Sequence, residues 1–353
     1  MSHMAVLGGV EVPVTFSRDE AVGYMQEAGL IGAGGAGFPT YVKYQRGARV
    51  LLVNAAESEP GYYSDKLLLR DEPEALVDIF EWLKQTFSIE TMVLAAEEVA
   101  KPYMADFEAL AKRLHNFSIA YVAPEYKFGQ ERHLVEACFG MHIPPRDMPL
   151  NHEIIVNNNE TMFNMYRAIF RNRPVMTKFL QVFGEVGLPK CYEVPVGTLA
   201  ADLLRVYGVD PKDYAHCLLY DGGPRLAKKV LGPMGPEPLF AVAKNTNAFM
   251  VVHPDKEWTR REEYPEPGFK HNHIHVPWAP TKIVNVERDI HRVRVPARGR
   301  FWRSGQLMVK EGEHVARRQD LALPASSGLS VGIHASIDGV VKKITPDYIE
   351  IEQ

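Results

Sequence analysis

No Cys-x-x-Cys occurs anywhere in these 353 residues, and only three cysteines are present: Cys138, Cys191 and Cys217. Three scattered thiols cannot supply the four ligands of a cysteine-bound iron–sulfur cluster or a structural zinc site. The expectation is a chain without clusters in a reducing, cytoplasmic compartment, each cysteine a small buried apolar residue. Charge of one sign is also scarce: 40 Lys and Arg stand against 44 Asp and Glu, a net −4. Without a basic stripe, nucleic acid is not the expected partner. No apolar run reaches the length of a membrane span. The start shows no secretory leader, and Met1-Ser2-His3-Met4 reads as an expression-vector remnant.

What is present is ordinary globular composition, 46% apolar and 24% charged, in a length that allows two or three domains. Apolar runs at 49–54, 91–96, 118–123 and 153–156 read as strands. Helical spacing falls between them at 73–85, 102–114 and 129–138, and again at 160–170. This alternation predicts an α/β fold with a mostly parallel, Rossmann-like sheet over residues 1–175, and ligands at the carboxyl ends of its strands. Residues 176–250 change texture: strands at 179–186, 193–196 and 215–220 and a helix at 198–207 predict a small α+β module. Residues 251–290, rich in Pro, His and charge, predict a linker or arm. Residues 291–353 predict a small all-β domain with hairpin turns at Glu311-Gly312 and Asp338-Gly339.

Chemistry concentrates in a few segments. Gly32, Gly34, Gly35 and Gly37 precede Phe38-Pro39-Thr40, a loop that brings backbone N–H groups against an anion. After the strand at 49–54 comes Asn54-Ala55-Ala56-Glu57-Ser58-Glu59-Pro60-Gly61. Further on lie Tyr126-Lys127-Phe128-Gly129-Gln130-Glu131 and Val156-Asn157-Asn158-Asn159-Glu160-Thr161. Lys43 reads either as a charge on a phosphate or as a solvated lysine, and Glu57 and Glu59 either as ligand acceptors or as an acidic pair opening a helix. His271, His273 and His275 would share one face of a strand; they read as a polar arm or as three ligands lacking a fourth, so no metal is assigned.

Taken in this order, the four motifs resemble the FMN- and NADH-binding 51 kDa subunit of respiratory complex I and its relatives RnfC and the cobalamin reductase PduS. The segments Gly222-Gly223-Pro224, Gly232-Pro233-Met234-Gly235 and Lys244-Asn245-Thr246-Asn247 are similar to RnfC in particular. The resemblance implies a β-grasp (SLBB) module over 176–250 and a barrel-sandwich hybrid domain over 291–353, C-terminal as in PduS. The tip Ser336-Ile337-Asp338-Gly339 has no lysine for a covalent carrier group. Complex I members carry Asp where this chain has Ala56, and an aromatic residue where it has Arg46.

For function, the resemblance implies an FMN-dependent NADH dehydrogenase without iron–sulfur clusters, which reduces a redox partner or a cobalamin or corrinoid acceptor. It assigns Gly32, Gly34, Gly35, Gly37, Lys43, Asn54, Ser58, Gly129, Asn157, Asn158 and Thr161 to FMN. It assigns Phe38, Glu59 and Glu131 to NADH. No protein nucleophile or general base is expected, because hydride chemistry belongs to the flavin. A homo-oligomer is compatible with this reading. The competing expectation is a non-redox nucleotide scaffold or sensor derived from the same family.

Overall fold

The computed structural model describes residues 4–7, 10–13, 16–57, 62–223, 228–233, 240–253 and 282–353. A hairpin, β1 (Met4–Leu7) and β2 (Val10–Pro13), precedes α1 (Arg18–Glu27). Ser17 and Glu20 close the start of α1 with a reciprocal capping box. After α2 (Thr40–Arg46) come β3 (Val50–Ala55), α3 (Ser64–Asp71), α4 (Pro73–Phe87) and β4 (Thr91–Glu97). Then follow α5 (Ala105–Ala111), β5 (Phe117–Val122), α6 (Glu131–Phe139), β6 (Ile154–Asn158) and α7 (Asn159–Arg171).

The four strands make one parallel sheet in the order β5-β4-β3-β6. Its central strands are leucine- and valine-rich without alternation because helices cover both faces. Leu51 and Val53 pack with Leu76, Phe80 and Leu83 of α4 and Met162 of α7. Leu52 and Val93 pack on the other face with Leu134 and Val135 of α6. The chain moves outward from β3 to β4 and β5, then returns to β6 on the far side of β3. Strand order therefore reverses between β3 and β6, and a crevice opens at their carboxyl ends.

A second sheet follows, in the order β10-β9-β11-β7-β8-β12. It comprises β7 (Thr177–Gly184), β8 (Gly187–Pro195), β9 (Leu218–Asp221), β10 (Lys228–Pro233), β11 (Ala248–Val252) and β12 (Ile283–Asn285). The helix α8 (Ala200–Tyr207) packs Leu203 and Leu204 against it. The strand β12 falls within the expected arm, yet it pairs parallel to β8 and extends this sheet at one edge.

The tail holds β13 (Arg292–Pro296), β14 (His314–Val315), β15 (Asp320–Ala322), β16 (Ile333–His334), β17 (Gly339–Ile344) and β18 (Tyr348–Glu352). Its apolar side chains Val293, Val331 and Ile333 belong to the same continuous core as Met25 and Ala28. At the seam, Gly332 N–H donates to Gln26 O at 2.9 Å. A Cβ at Gly332 would lie 2.0 Å from Glu27 O, so only glycine fits.

Turn chemistry in the tail differs from expectation at one point. Glu311-Gly312 does turn, with Glu313 N–H donating to Lys310 O and Gly312 at φ +85°. Asp338-Gly339 instead opens β17, and Asp338 accepts from Arg317 N–H at 2.8 Å. The hairpin joins β17 to β18 at 345–347, where the Thr345 hydroxyl accepts from the amides of Asp347 and Tyr348. A threonine bonding its own backbone offers the same reversal without glycine.

Candidate functional site

The glycine loop leaves α1, crosses the carboxyl ends of β3 and β6, and enters α2. Gly32 N–H donates to Phe38 O at 2.8 Å and closes the loop at its base. Ala33 N–H donates to the buried Thr161 hydroxyl at 2.9 Å, which pins the loop to α7. A Cβ at Gly34 would stand 3.2 Å from the Asn158 side chain. Gly35 (φ +123°) and Gly37 (φ +68°) sit where L side chains are strained. From the second sheet, Asn245 donates to Gly35 O at 2.7 Å. Among the described residues, the exposed amides of Gly34, Gly35 and Ala36 meet no protein acceptor. Such a run of free N–H groups suits a phosphate or a ribityl oxygen.

Beside the loop lies a cleft lined by Gly34, Asn54, Tyr62, Asp65, Gly129 and Asn158. Its enclosed space is about 60 Å³. Pockets that swallow a whole ligand hold roughly 300–1,000 Å³. A ligand of that size would place only one edge in the cleft and the remainder over the exposed loop. Asn54 Nδ2 donates to Gly129 O at 3.1 Å, and its Oδ1 accepts from Ala56 N–H at 2.9 Å. Asn54 thus ties the loop at 126–130 to the end of β3.

The cleft floor is acidic. Asp65 accepts from Asn158 Nδ2 at 2.8 Å and from Glu160 N–H at 3.2 Å. Burial first, then the carboxylates of Glu57 and Glu160, hold Asp65 well above the usual carboxylate range. Lys66 bridges Glu57 at 2.7 Å and Glu97 at 2.9 Å. Burial alone would lower the Lys66 ammonium, but the two carboxylates outweigh it and raise the group. Lys178 pairs with Glu160, both fully buried. The N-terminus of α7, a natural phosphate seat, is already filled by the Asp65 carboxyl. The glycine loop, by contrast, keeps backbone amides without protein acceptors among the described residues.

The expected residues divide by position. Gly34, Asn54, Gly129 and Asn158 meet in the cleft. Thr161 acts on the loop's backbone from behind. Asn157, one residue before Asn158 on β6, points to the opposite face and donates to the Tyr44 hydroxyl at 2.8 Å. Lys43 reaches Val156 O and pairs with Glu131 Oε1 at 2.9 Å, so a lysine and an acid expected on different ligands are joined. Phe38 lies edge-on to Phe301 of the tail, with ring centroids 5.8 Å apart. Ser58, Glu59, His271, His273 and His275 lie outside the described residues. Glu57 was weighed beside Glu59 without being assigned a ligand, and Asp65 and Asn245 were not assigned to the site in advance. Their only local signals are a charged pair, Asp65-Lys66, at the start of a leucine-rich helix, and the motif Asn245-Thr246-Asn247.

Next to Asn245, Lys244 is buried where all three sheet-bearing units meet. Its Nζ donates to Gly29 O at 2.9 Å and Gly332 O at 3.1 Å, with no carboxylate among its hydrogen-bond partners in the described residues. A neutral amine has two N–H bonds for two carbonyls. Burial lowers the group to about 7, and its neighbour His334 is lowered to about 3 by burial and by Lys244. The free lysine stays protonated to about 10.4. Between these values the unfolded chain holds a proton that the folded chain does not, so stability rises with pH across pH 7–10. The unfolding free energy from urea titration should climb by up to about 1.4 kcal/mol per pH unit more in the wild type than in Lys244→Met. Equal slopes would contradict the neutral-amine assignment.

Comparison with known proteins adds a frame to this geometry. Residues 25–167 match the Nuo51 FMN-binding domain. The chain is 30% identical over 245 residues to the cobalamin reductase PduS of Salmonella typhimurium, covering 68% of this chain and 51% of that protein. It is 26% identical over 247 residues to the RnfC protein of the ion-translocating oxidoreductase complex of Rhodobacter capsulatus, covering 68% and 46%. Among solved structures, a chain of an NAD+-reducing NiFe hydrogenase in its H2-reduced state superposes with a TM-score of 0.55 at 25% identity, covering 67% of this chain and 47% of that one. This chain spans about half the length of the curated relatives it matches. Among the described residues, no helix is long and apolar enough to cross a membrane.

Proposed function

On the premise that residues 25–167 are an FMN-binding domain of the Nuo51 family, in a relative of PduS and of the RnfC proteins of ion-translocating oxidoreductases, we propose that the chain is an FMN-dependent NADH dehydrogenase. Electrons pass to a partner: a cobalamin or corrinoid protein, a flavodoxin-like carrier or a quinone. One observation carries the reading. The glycine loop, Asn54, Gly129 and Asn158 meet at the switch point between β3 and β6, inside the matched residues. The reading includes an SLBB-like β-grasp module in the second sheet, a barrel-sandwich hybrid tail and a cytoplasmic location.

FMN bound here would accept a hydride from NADH and release electrons singly or in pairs. The chain's own residues hold and orient. The amides of Gly34, Gly35 and Ala36 donate to phosphate or ribityl oxygens. Asn158 and Gly129 present polar groups at the cleft, and Asn54 fixes their spacing. Phe38 offers an aromatic face beside the loop, and Glu131, already held by Lys43, accepts from dinucleotide hydroxyls.

A charge-assisted hydrogen bond contributes about 1.5–3 kcal/mol, so Glu131→Ala should weaken NADH binding roughly ten- to a hundredfold. FMN affinity should stay within about threefold, because Glu131 stands outside the cleft lining. Anaerobic NADH titration of the FMN-loaded variant measures the first, and fluorescence quenching of added FMN the second. Unchanged NADH affinity would remove Glu131 from the dinucleotide site.

A further inference from the structure

We propose that the tail loop 298–304 and the facing turn 325–330 form the docking surface for an acidic electron-carrier protein, placed beside the flavin loop. The proposal rests on the FMN reading above. The two segments enclose an open depression of about 660 Å³. Arg298, Arg300 and Arg303 are exposed around it, in a chain whose net charge is −4. Arg298 pairs with Asp347 at 2.5 Å. Among the described residues, Arg300 and Arg303 meet no carboxylate, and the Arg300 guanidinium lies 5.0 Å from the centre of the Phe301 ring. Phe301 and Leu329 are exposed large apolar residues, as are Leu307 and Met308 nearby. Arginine with aromatic residues and methionine is the composition of interface cores.

The surface is preformed. Trp302 is buried beneath it, and a Cβ at Gly299 would lie 2.4 Å from Trp302 Nε1. Gly299 N–H donates to Trp302 O at 2.9 Å, and the Ser330 hydroxyl donates to Arg303 O at 2.7 Å. Position gives the surface its meaning. Phe301 rests edge-on against Phe38, whose carbonyl closes the glycine loop. A protein seated on the arginines therefore abuts the flavin loop. An exposed phenylalanine and leucine between cations suit a protein face with an acidic rim better than a dinucleotide's phosphates. Each NADH oxidised to NAD+ yields two electrons and one proton, so two molecules of a one-electron carrier are reduced per NADH.

The test uses the full chain loaded with FMN, an acidic flavodoxin as the probe and menadione as an uncharged small acceptor. Wild type should bind the flavodoxin at low salt and reduce it with NADH. Both should weaken roughly tenfold or more towards 0.3 M salt, where the Debye length falls to a few ångströms. Arg300→Glu/Arg303→Glu should lose at least about tenfold in flavodoxin binding and reduction at low salt, with FMN affinity and menadione reduction unchanged. Three outcomes overturn the proposal: no flavodoxin binding by wild type, equal binding by the variant, or an equal loss with menadione, which would assign the arginines to the dinucleotide. Flavodoxin binding is read without turnover. Failure of wild type to take up FMN therefore overturns the flavin reading separately.

Discussion

The Gly35→Leu variant is expected to purify folded and without flavin. Gly35 holds φ +123°, a conformation that costs an L residue on the order of 1–3 kcal/mol. Its carbonyl accepts from Asn245, and its added Cβ would stand 3.7 Å from Asn247 Nδ2. Leucine therefore forces the loop to move, and the free amides of 34–36 lose their common aim. The loop is exposed, so the core is untouched and the loss falls on the ligand. FMN affinity should drop by more than about a hundredfold, the effect of losing two or more hydrogen bonds to a charged group. Gly140→Ala is the control: it also has positive φ, at the end of α6, with nothing within 4 Å of the new methyl. Retention of FMN by Gly35→Leu at wild-type affinity would remove the loop from the site.

The largest loss of stability is expected from Lys178→Met. Lys178 and Glu160 are both buried, at 0% and 1% exposure. The ammonium donates to Glu160 and, at 2.8 Å, to Phe179 O; Phe179 N–H donates to Glu160 Oε1 at 3.2 Å. This pair joins the start of α7 to β7, and so the parallel sheet to the second sheet. Removing the cation leaves Glu160 charged, buried and beside the acidic Asp65, a loss of about 3–5 kcal/mol. The midpoint of thermal unfolding should fall by roughly 4–7 °C. Adding Glu160→Gln to the variant should restore a large part of that loss, because the stranded charge, more than the missing contact, does the damage. A single variant within about 1 kcal/mol of wild type would contradict this account.

The parallel sheet was legible because its strands are uninterrupted apolar runs and the helix α4 repeats Leu76, Ile79, Phe80 and Leu83 at helical spacing. The glycine loop and the motif around Asn158 were legible because free amides and positive φ need particular residues. The helix α3 was not. Its first turn, Ser64-Asp65-Lys66, has no apolar residue to mark a helix face, yet all three side chains are buried. Glu57 and Glu97 bury Lys66 from the ends of two different strands, and no local window contains that pairing. Asn157 and Asn158 show the same limit at finer grain. Adjacent strand residues point to opposite faces, and the sheet's covering helices decide which face holds the cleft. The junction at Lys244 depends on Gly29 and Gly332, which only the assembled chain brings together.

One measurement bears most directly on the central claim. Purified protein is supplemented with FMN, freed of excess, and its absorbance recorded before and after anaerobic addition of NADH. A bound flavin spectrum at one equivalent is expected, bleached by stoichiometric NADH and restored by air. Protein that retains no flavin, or a bound flavin that NADH leaves oxidised with an acceptor present, would contradict it and favour a nucleotide-binding scaffold.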